Sequence, residues 1–266
     1  MPKLPSSLGA TLLAAPLLAL LSLPLLTLLG HLSSLRWLIF APEARGAIDA
    51  LVLSLETSAV SVFLISITGT PLAWLMARQA GHWSRIAKVI VMTPMFLPPS
   101  IVGLTLLSAL HRGGWLGGLF EGFASLPFTV SAVIIAQITV SAPLYILGAY
   151  TAFRRSDPAL VEMARTLGLS PWLAWRRVTL PLLLPGLVIA LILSWARALG
   201  EFGATLLFAG LLPGVTETAP LAIYLELERG TMSAMAISIG LITYMLPLFM
   251  LLAWLNRFNT ERERSA

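Results

Sequence analysis

The chain has 266 residues, of which 58% are hydrophobic and 11% charged, with a mean hydropathy of +0.89. An average soluble chain carries about 25% charge, so this composition cannot cover a water-facing surface and belongs to an integral membrane protein. The absence of cysteine excludes disulfide staples, thiolate catalysis and cysteine metal sites.

A spanning helix needs about 20 mostly apolar residues, and six stretches qualify: 8–30, 51–76, 89–110, 127–152, 180–208 and 232–255. The first follows Lys3 as a secretory signal would. Its apolar run exceeds the roughly 7–15 residues of a signal core, however, and no small-x-small cleavage site closes it. A retained helix is expected, irregular at Pro16 and Pro24. The second carries Pro71. The third contains Pro94, Met95, Phe96, Leu97, Pro98 and Pro99 in mid-span beside Gly103, which predicts a broken helix lining a path. The fourth contains Pro143 and the fifth Pro185; either proline can equally be an ordinary kink.

Between spans four and five, residues 153–179 read as two short helices. Asp157 before Pro158, and Ser170 before Pro171, each place a capping side chain ahead of a proline at the first helical position. Gly168 stands where the first helix must stop. Leu160, Met163, Ala164 and Leu167 fall at i, i+3, i+4, i+7, an apolar stripe opposite Glu162 and Arg165. Trp172 and Trp175 share one side of the second helix, with Arg176 and Arg177 near its end. Three readings fit such a pair: a helix lying in the lipid interface, a regulatory hinge, or an anchor seated in a groove of a cytoplasmic partner.

With six spans both termini share one side. That side receives Lys3, Arg78, Arg85, Lys88, Arg154, Arg155, Arg165, Arg176, Arg177, Arg257, Arg262 and Arg264, against only Asp157, Glu162, Glu261 and Glu263. The positive-inside rule makes it cytoplasmic. The basic residues are spread over loops rather than gathered on one face, so the net charge of +5 is no sign of nucleic-acid binding.

The spacing in the loop resembles a known family. Glu162-Met163-Ala164, three residues, Gly168, nine residues, then Val178-Thr179-Leu180-Pro181 is similar to the coupling motif of ATP-binding-cassette importer permeases, E-A-A, G and I-x-L-P at the same spacings. Met163 and Val178 are the departures. Further similarity lies in the stretch from Pro71 to Arg78 and in Leu97-Pro98-Pro99-Ser100 with Gly103. Arg197 to Thr205, Pro213 to Thr218 and Pro220 to Tyr224 look most like the molybdate and tungstate permeases of the molybdate and sulfate branch. Leu211 and Glu217 stand where that branch usually shows Asn and Gln.

The resemblance implies one all-α transmembrane domain over residues 1–266, six helices with a cytoplasmic coupling-helix pair, of the type I importer kind. It implies docking of an ATPase subunit through Glu162, Ala164, Gly168, Leu180 and Pro181, and import of an oxyanion, molybdate or tungstate, with sulfate the alternative. It further implies a homodimer, an extracytoplasmic oxyanion-binding protein, and a bacterial or archaeal inner membrane with both termini cytoplasmic. No cofactor is expected in this chain, because ATP and magnesium would be bound by the partner ATPase.

An importer that leaves specificity to its binding protein needs small residues, hydroxyls and an apolar gate along its path. Ser100, Gly103, Thr105, Thr139, Ser141 and Ser194 fit such a lining, and equally fit helix contacts. Arg197 and Glu201, four apart on the fifth span, can pair on one helix face. Either Arg197 attracts the anion while Glu201 limits its grip, or the two form a structural pair that orients the helix. Glu56 is similarly open. His31, His82 and His111 have no ligand-like spacing, so no metal site is expected. The chain has no H-E-x-x-H, nucleophile elbow or P-loop lysine motif, and it is not expected to be an enzyme. A gradient-driven carrier is the other rival, but mid-span ionisable residues, which such carriers use, are not evident.

Overall fold

Inside a bilayer every backbone N–H and C=O must be satisfied within the protein, and a helix does this locally. A computed structural model describes residues 7–41, 44–79 and 81–264. Regular structure among them is helical throughout: α1 (Ser7–Gly30), a 3-10 turn (Leu32–Ser34), α2 (Leu35–Phe40), α3 (Ala44–Arg78), α4 (His82–Phe96), α5 (Pro99–Leu110), α6 (Glu121–Ala124) and α7 (Val130–Arg155), then α8 (Pro158–Thr166), α9 (Pro171–Ala174), a π-helical turn (Trp175–Thr179), α10 (Leu180–Leu199), α11 (Gly203–Phe208), α12 (Ala219–Arg229) and α13 (Thr231–Arg264). Lys3, and the side chains of Arg257, Glu261, Arg262, Glu263 and Arg264, lie outside the described residues.

Among the described residues four helical stretches are long and apolar enough to cross a membrane: Gly9–Gly30, Ala44–Arg78, Val130–Arg155 and Pro171–Leu199. α4 and α5 meet that test only when taken together, and they join at a bend of 112°; α13 supplies an apolar run over Thr231–Pro247. α3, α7 and α10 form the centre of the bundle. They approach closely because small residues face one another, as membrane helices require in the absence of a hydrophobic drive between them. Gly148 packs on Ala190, Gly186 on Ala152, and Gly69 on Tyr145 and Ile146.

The break between α4 and α5 is where the prolines predict it. A residue before proline is pushed out of the α region. Two adjacent prolines therefore exclude both Leu97 (ψ 134°) and Pro98 (ψ 136°), and Pro99 restarts the chain as the first residue of α5. Isolated prolines behave differently: α3 runs on through Pro71, α7 through Pro143 and α10 through Pro185. α1 likewise runs on through Pro16 and Pro24. Most of its leucines are exposed, and within the chain it touches α13 and the 3-10 turn.

Two expected boundaries are corrected. The fifth span does not run to residue 208: α10 stops at Leu199, and residues 203–208 form the separate α11, packed on α5 and α7. The second helix of the 153–179 loop is not separate from the fifth span but continues into it through the π-helical turn, giving one helix over Pro171–Leu199. Pro181 has no N–H for the carbonyl four residues back and its ring crowds that carbonyl. Widening the preceding turn to π geometry is a recognised way to absorb such a mismatch without ending the helix.

Candidate functional site

Two regions carry functional candidates. The first is the turn between α8 and α9. Asp157 Oδ1 accepts from Ala159 N at 2.9 Å, and Ser170 Oγ from Leu173 N at 3.3 Å, so both helices begin with a side-chain cap. Each such cap contributes about 1 kcal/mol. At the other end of α8, Gly168 has φ +89°, its N–H donates to Arg165 O, and Leu169 N–H donates to Ala164 O. These paired bonds satisfy the last carbonyls and turn the chain sharply, and the left-handed φ favours glycine.

The apolar stripe of α8 does not pack as a unit. Ala164 is buried at its base, while Leu160, Met163 and Leu167 are exposed, as are Glu162 and the stacked rings of Trp172 and Trp175. Leu180 is half-buried and Pro181 exposed at the start of α10. A shallow groove between α8 and α9 is lined by Glu162, Arg165, Thr166, Gly168, Leu169, Ser170 and Pro171. This is a rigid, capped turn with an apolar surface left open, the form a helix-in-groove anchor takes.

The second region is the break at Leu97–Pro98. A cavity of about 320 Å³ opens there, lined by Pro94, Met95, Leu97, Pro99, Val140, Leu144 and Arg197. Arg197, on the last turn of α10, is its one charged lining residue and is about one-third exposed. Its Nη1 lies 2.7 Å from Glu201 Oε2, and Glu201 is 1% exposed. The pair is not carried on one helix face as expected, because α10 has ended before Glu201. The carboxylate instead sits in the turn to α11, where its Oε1 accepts from Ala204 N at 2.8 Å and holds the first turn of that helix.

The remaining expected lining residues divide. Gly103 is buried on Ala204, where an added Cβ would meet the Ala204 carbonyl oxygen at 2.5 Å, and Gly203 lies reciprocally against Ser100 and Pro99. Ser141 and Ser194 are fully buried in the α7–α10 contact, Ser194 Oγ donating to Ser141 O and Ser141 Oγ to Gln137 O. These three close helix contacts within the chain and face no open path. Thr139 is half-buried, its hydroxyl donating to Ile135 O, whereas Ser100 and Thr105 are exposed on α5.

One cluster was not anticipated from the sequence. Along α3, Ser54, Thr57, Ser58 and Ser61 form a buried hydroxyl stripe that ties three other helices to it. Ser54 Oγ accepts from Ala219 N at 2.7 Å, Thr57 Oγ1 from Gln137 Nε2 at 3.2 Å, and Ser58 Oγ from Trp195 Nε1 at 2.9 Å. Ser61 Oγ donates to Gln137 Oε1 at 2.9 Å. The i, i+3, i+4, i+7 spacing of these hydroxyls within an apolar span was the available signal. On the α12 side, Asp49, Glu56 and Glu217 line a cavity of about 210 Å³ with Gly214. Burial raises the Glu217 carboxyl above its ordinary range; Arg229 opposes that shift and Glu226 adds to it.

The sequence profile described as "Binding-protein-dependent transport system inner membrane component" matches residues 69–265. The Mycobacterium tuberculosis molybdenum transport system permease protein ModB is 41% identical over 206 residues, covering 77% of this chain and 77% of that protein. The Escherichia coli K12 protein of the same name is 34% identical over 218 residues, 80% of this chain and 95% of that one. Among solved structures, a bacterial ABC transporter importing the acidic polysaccharide alginate superposes with a TM-score of 0.67 at 20% identity, over 96% of this chain and 95% of that one. The methionine transporter MetNI, in an inward-facing conformation, gives 0.58 at 20% identity, over 85% and 98%. At those identities the likeness is one of fold.

Proposed function

The chain belongs to the family of binding-protein-dependent transport inner membrane components, and from that premise we propose that it is the permease subunit of an ATP-driven importer of molybdate or tungstate. The identity to molybdenum permeases over three-quarters of the chain supports this substrate class. The observation that carries the mechanism is the capped α8–α9 turn, with its left-handed Gly168 and its exposed Leu160, Met163 and Leu167.

In this reading two copies of the chain enclose the path, and each inserts α8 into a groove of a cytoplasmic ATPase subunit. Glu162 and Arg165 lie on the rim, and Ala164 seats α8 on its own bundle. α9 is continuous with α10, so a displacement of the docked turn is transmitted along one helix to Arg197. Leu180 and Pro181 sit at the joint. ATP-driven closure of the ATPases draws the two turns together and opens the path outward, and hydrolysis resets it inward. An external binding protein delivers the anion, the basic loops and both termini face the cytoplasm, and catalysis belongs to the ATPase rather than to this chain.

The test is ATPase activity of the reconstituted complex with its binding protein loaded in turn with molybdate, tungstate and sulfate. Stimulation by molybdate or tungstate is expected. Stimulation by sulfate alone would move the chain to the sulfate branch, and failure of any ATPase to co-purify would overturn the docking role of α8.

A further inference from the structure

Arg197 presents an unusual state for a charge inside an apolar bundle. Such a group is ordinarily paired, or else faces water or a path. It has a counter-charge, since Glu201 Oε2 is 2.7 Å away, yet no N–H of Arg197 is aimed at that oxygen, which is left without a hydrogen bond. No described residue accepts a hydrogen bond from Arg197 at all. A guanidinium carries five N–H donors in a planar fork suited to oxyanions. One-third of its side chain is open, and the space it opens on is the apolar cavity at the α4–α5 break.

We infer that this cavity is an exchange site for a tetrahedral oxyanion, with Arg197 as the binding group and Glu201 as a built-in competitor. The inference rests on the import reading above and extends it to the residues that touch the cargo. Glu201 is pinned from the opposite side, its Oε1 held by Ala204 N. That bond holds the carboxylate in the turn, with Oε2 beside the guanidinium but off its N–H directions. Arg197 is thus neutralised in charge but not satisfied in hydrogen bonds.

An oxyanion entering the cavity supplies the missing acceptors, two oxygens meeting the fork, while the fixed carboxylate behind repels it. The result is a site attractive enough to enter and weak enough to leave, the condition for conduction through a narrow path. The apolar walls, Met95, Leu97, Val140 and Leu144, offer the anion no second anchor.

The test uses the full complex in proteoliposomes, with molybdate, tungstate and sulfate as probes and inorganic phosphate as the unselected tetrahedral anion. Glu201→Gln keeps an oxygen for Ala204 N and removes only the competing charge. Equilibrium binding of the transported anion to the detergent-solubilised complex should tighten at least fivefold, with a lower KM and a lower maximal rate. Arg197→Gln should cut transport at least tenfold, and Arg197→Lys, which keeps the charge but loses the fork, should fall between. Co-elution with the ATPase certifies that each variant complex is assembled; should Arg197→Gln fail it, Arg197→Lys and Glu201→Gln decide. A structural ion pair would lower rate and affinity together in Glu201→Gln, and that outcome, or wild-type transport by Arg197→Gln, overturns the inference alone. If the wild-type complex moves none of molybdate, tungstate and sulfate, the import reading itself fails and takes the exchange site with it.

Discussion

The α8–α9 turn and the cavity at the α4–α5 break are built on opposite principles. The turn is made of local interactions: caps two or three residues away, a glycine with φ +89°, and paired bonds from Gly168 and Leu169 back to α8. The docking surface proposed for it is what it leaves exposed. The cavity is made of contacts between residues far apart in the chain, with Gly103 against Ala204, Gly203 against Ser100, and Arg197 beside Pro94 and Leu97. The anion site proposed for it is a gap between packed parts. A mutation in the turn should therefore alter coupling without altering bundle stability, and a mutation around the cavity should alter both.

The largest effect is expected from Gly168→Pro. Proline fixes φ near −65°, far from the +89° found here, and removes the N–H that reaches Arg165 O. Substrate-stimulated transport should fall about a hundredfold while thermal unfolding of the membrane bundle is unchanged. A matching loss of bundle stability would erase the distinction between the regions. Gly168→Ala sharpens it, since nothing lies within 4 Å of the added Cβ and only the backbone angle is strained.

Gly103→Val is the counterpart at the cavity. Its Cβ would stand 2.5 Å from a backbone oxygen that cannot rotate away, and overpacking of this kind costs about 1–3 kcal/mol. A clear drop in Tm should accompany loss of transport; an unchanged Tm would mean that α5 and α11 separate freely. Next comes Gln137→Leu, which removes the α7 side chain that bonds Thr57 and Ser61 and leaves Ser61 only the Ile134 carbonyl on that helix. Hydrogen bonds between membrane helices are worth about 0.6–1.7 kcal/mol, so a modest Tm loss is expected without a change in substrate preference.

The smallest effect belongs to Glu217, in the loop ahead of α12, which takes part in neither region. Because burial raises its carboxyl pKa in the folded protein, folding takes up a proton between the ordinary carboxylate range and the raised value. That contribution to stability is fully present below the ordinary range and is lost as pH rises through the raised value. Glu217→Gln should therefore flatten the pH dependence of Tm in that window and leave the variant slightly more stable at neutral pH, with coupling untouched. A steeper pH dependence in the variant would contradict the direction of the shift.

What could be read from the chain follows the same division. The capping pairs at Asp157 and Ser170, the stop at Gly168 and the break at Pro98-Pro99 were legible because each depends on the backbone preferences of adjacent residues, which neighbours in space barely alter. The hydroxyl stripe of α3 is not legible in the sequence because serine and threonine within a span look alike whether they face lipid, a path or another helix. Only the positions of Gln137, Trp195 and Ala219 distinguish these. For the same reason the sequence does not separate Gly103, Ser141 and Ser194 from residues of a path, although the fold uses them to bring helices together.

The end of the fifth span was misplaced because an apolar run has the same composition whether it continues straight or turns back as α11. The turn is stabilised by Glu201 reaching Ala204 N, and by Gly203 fitting against Ser100 and Pro99, a hundred residues earlier. Composition determined by itself that this is a helical membrane protein, since it acts through the solvent, and the loop motif carried the resemblance to importer permeases because its spacing lies within one short stretch of chain. Which small residues pack, which prolines break a helix, and where Arg197 finds an open cavity were decided by tertiary structure, because close packing depends on shapes that meet only when the helices are assembled.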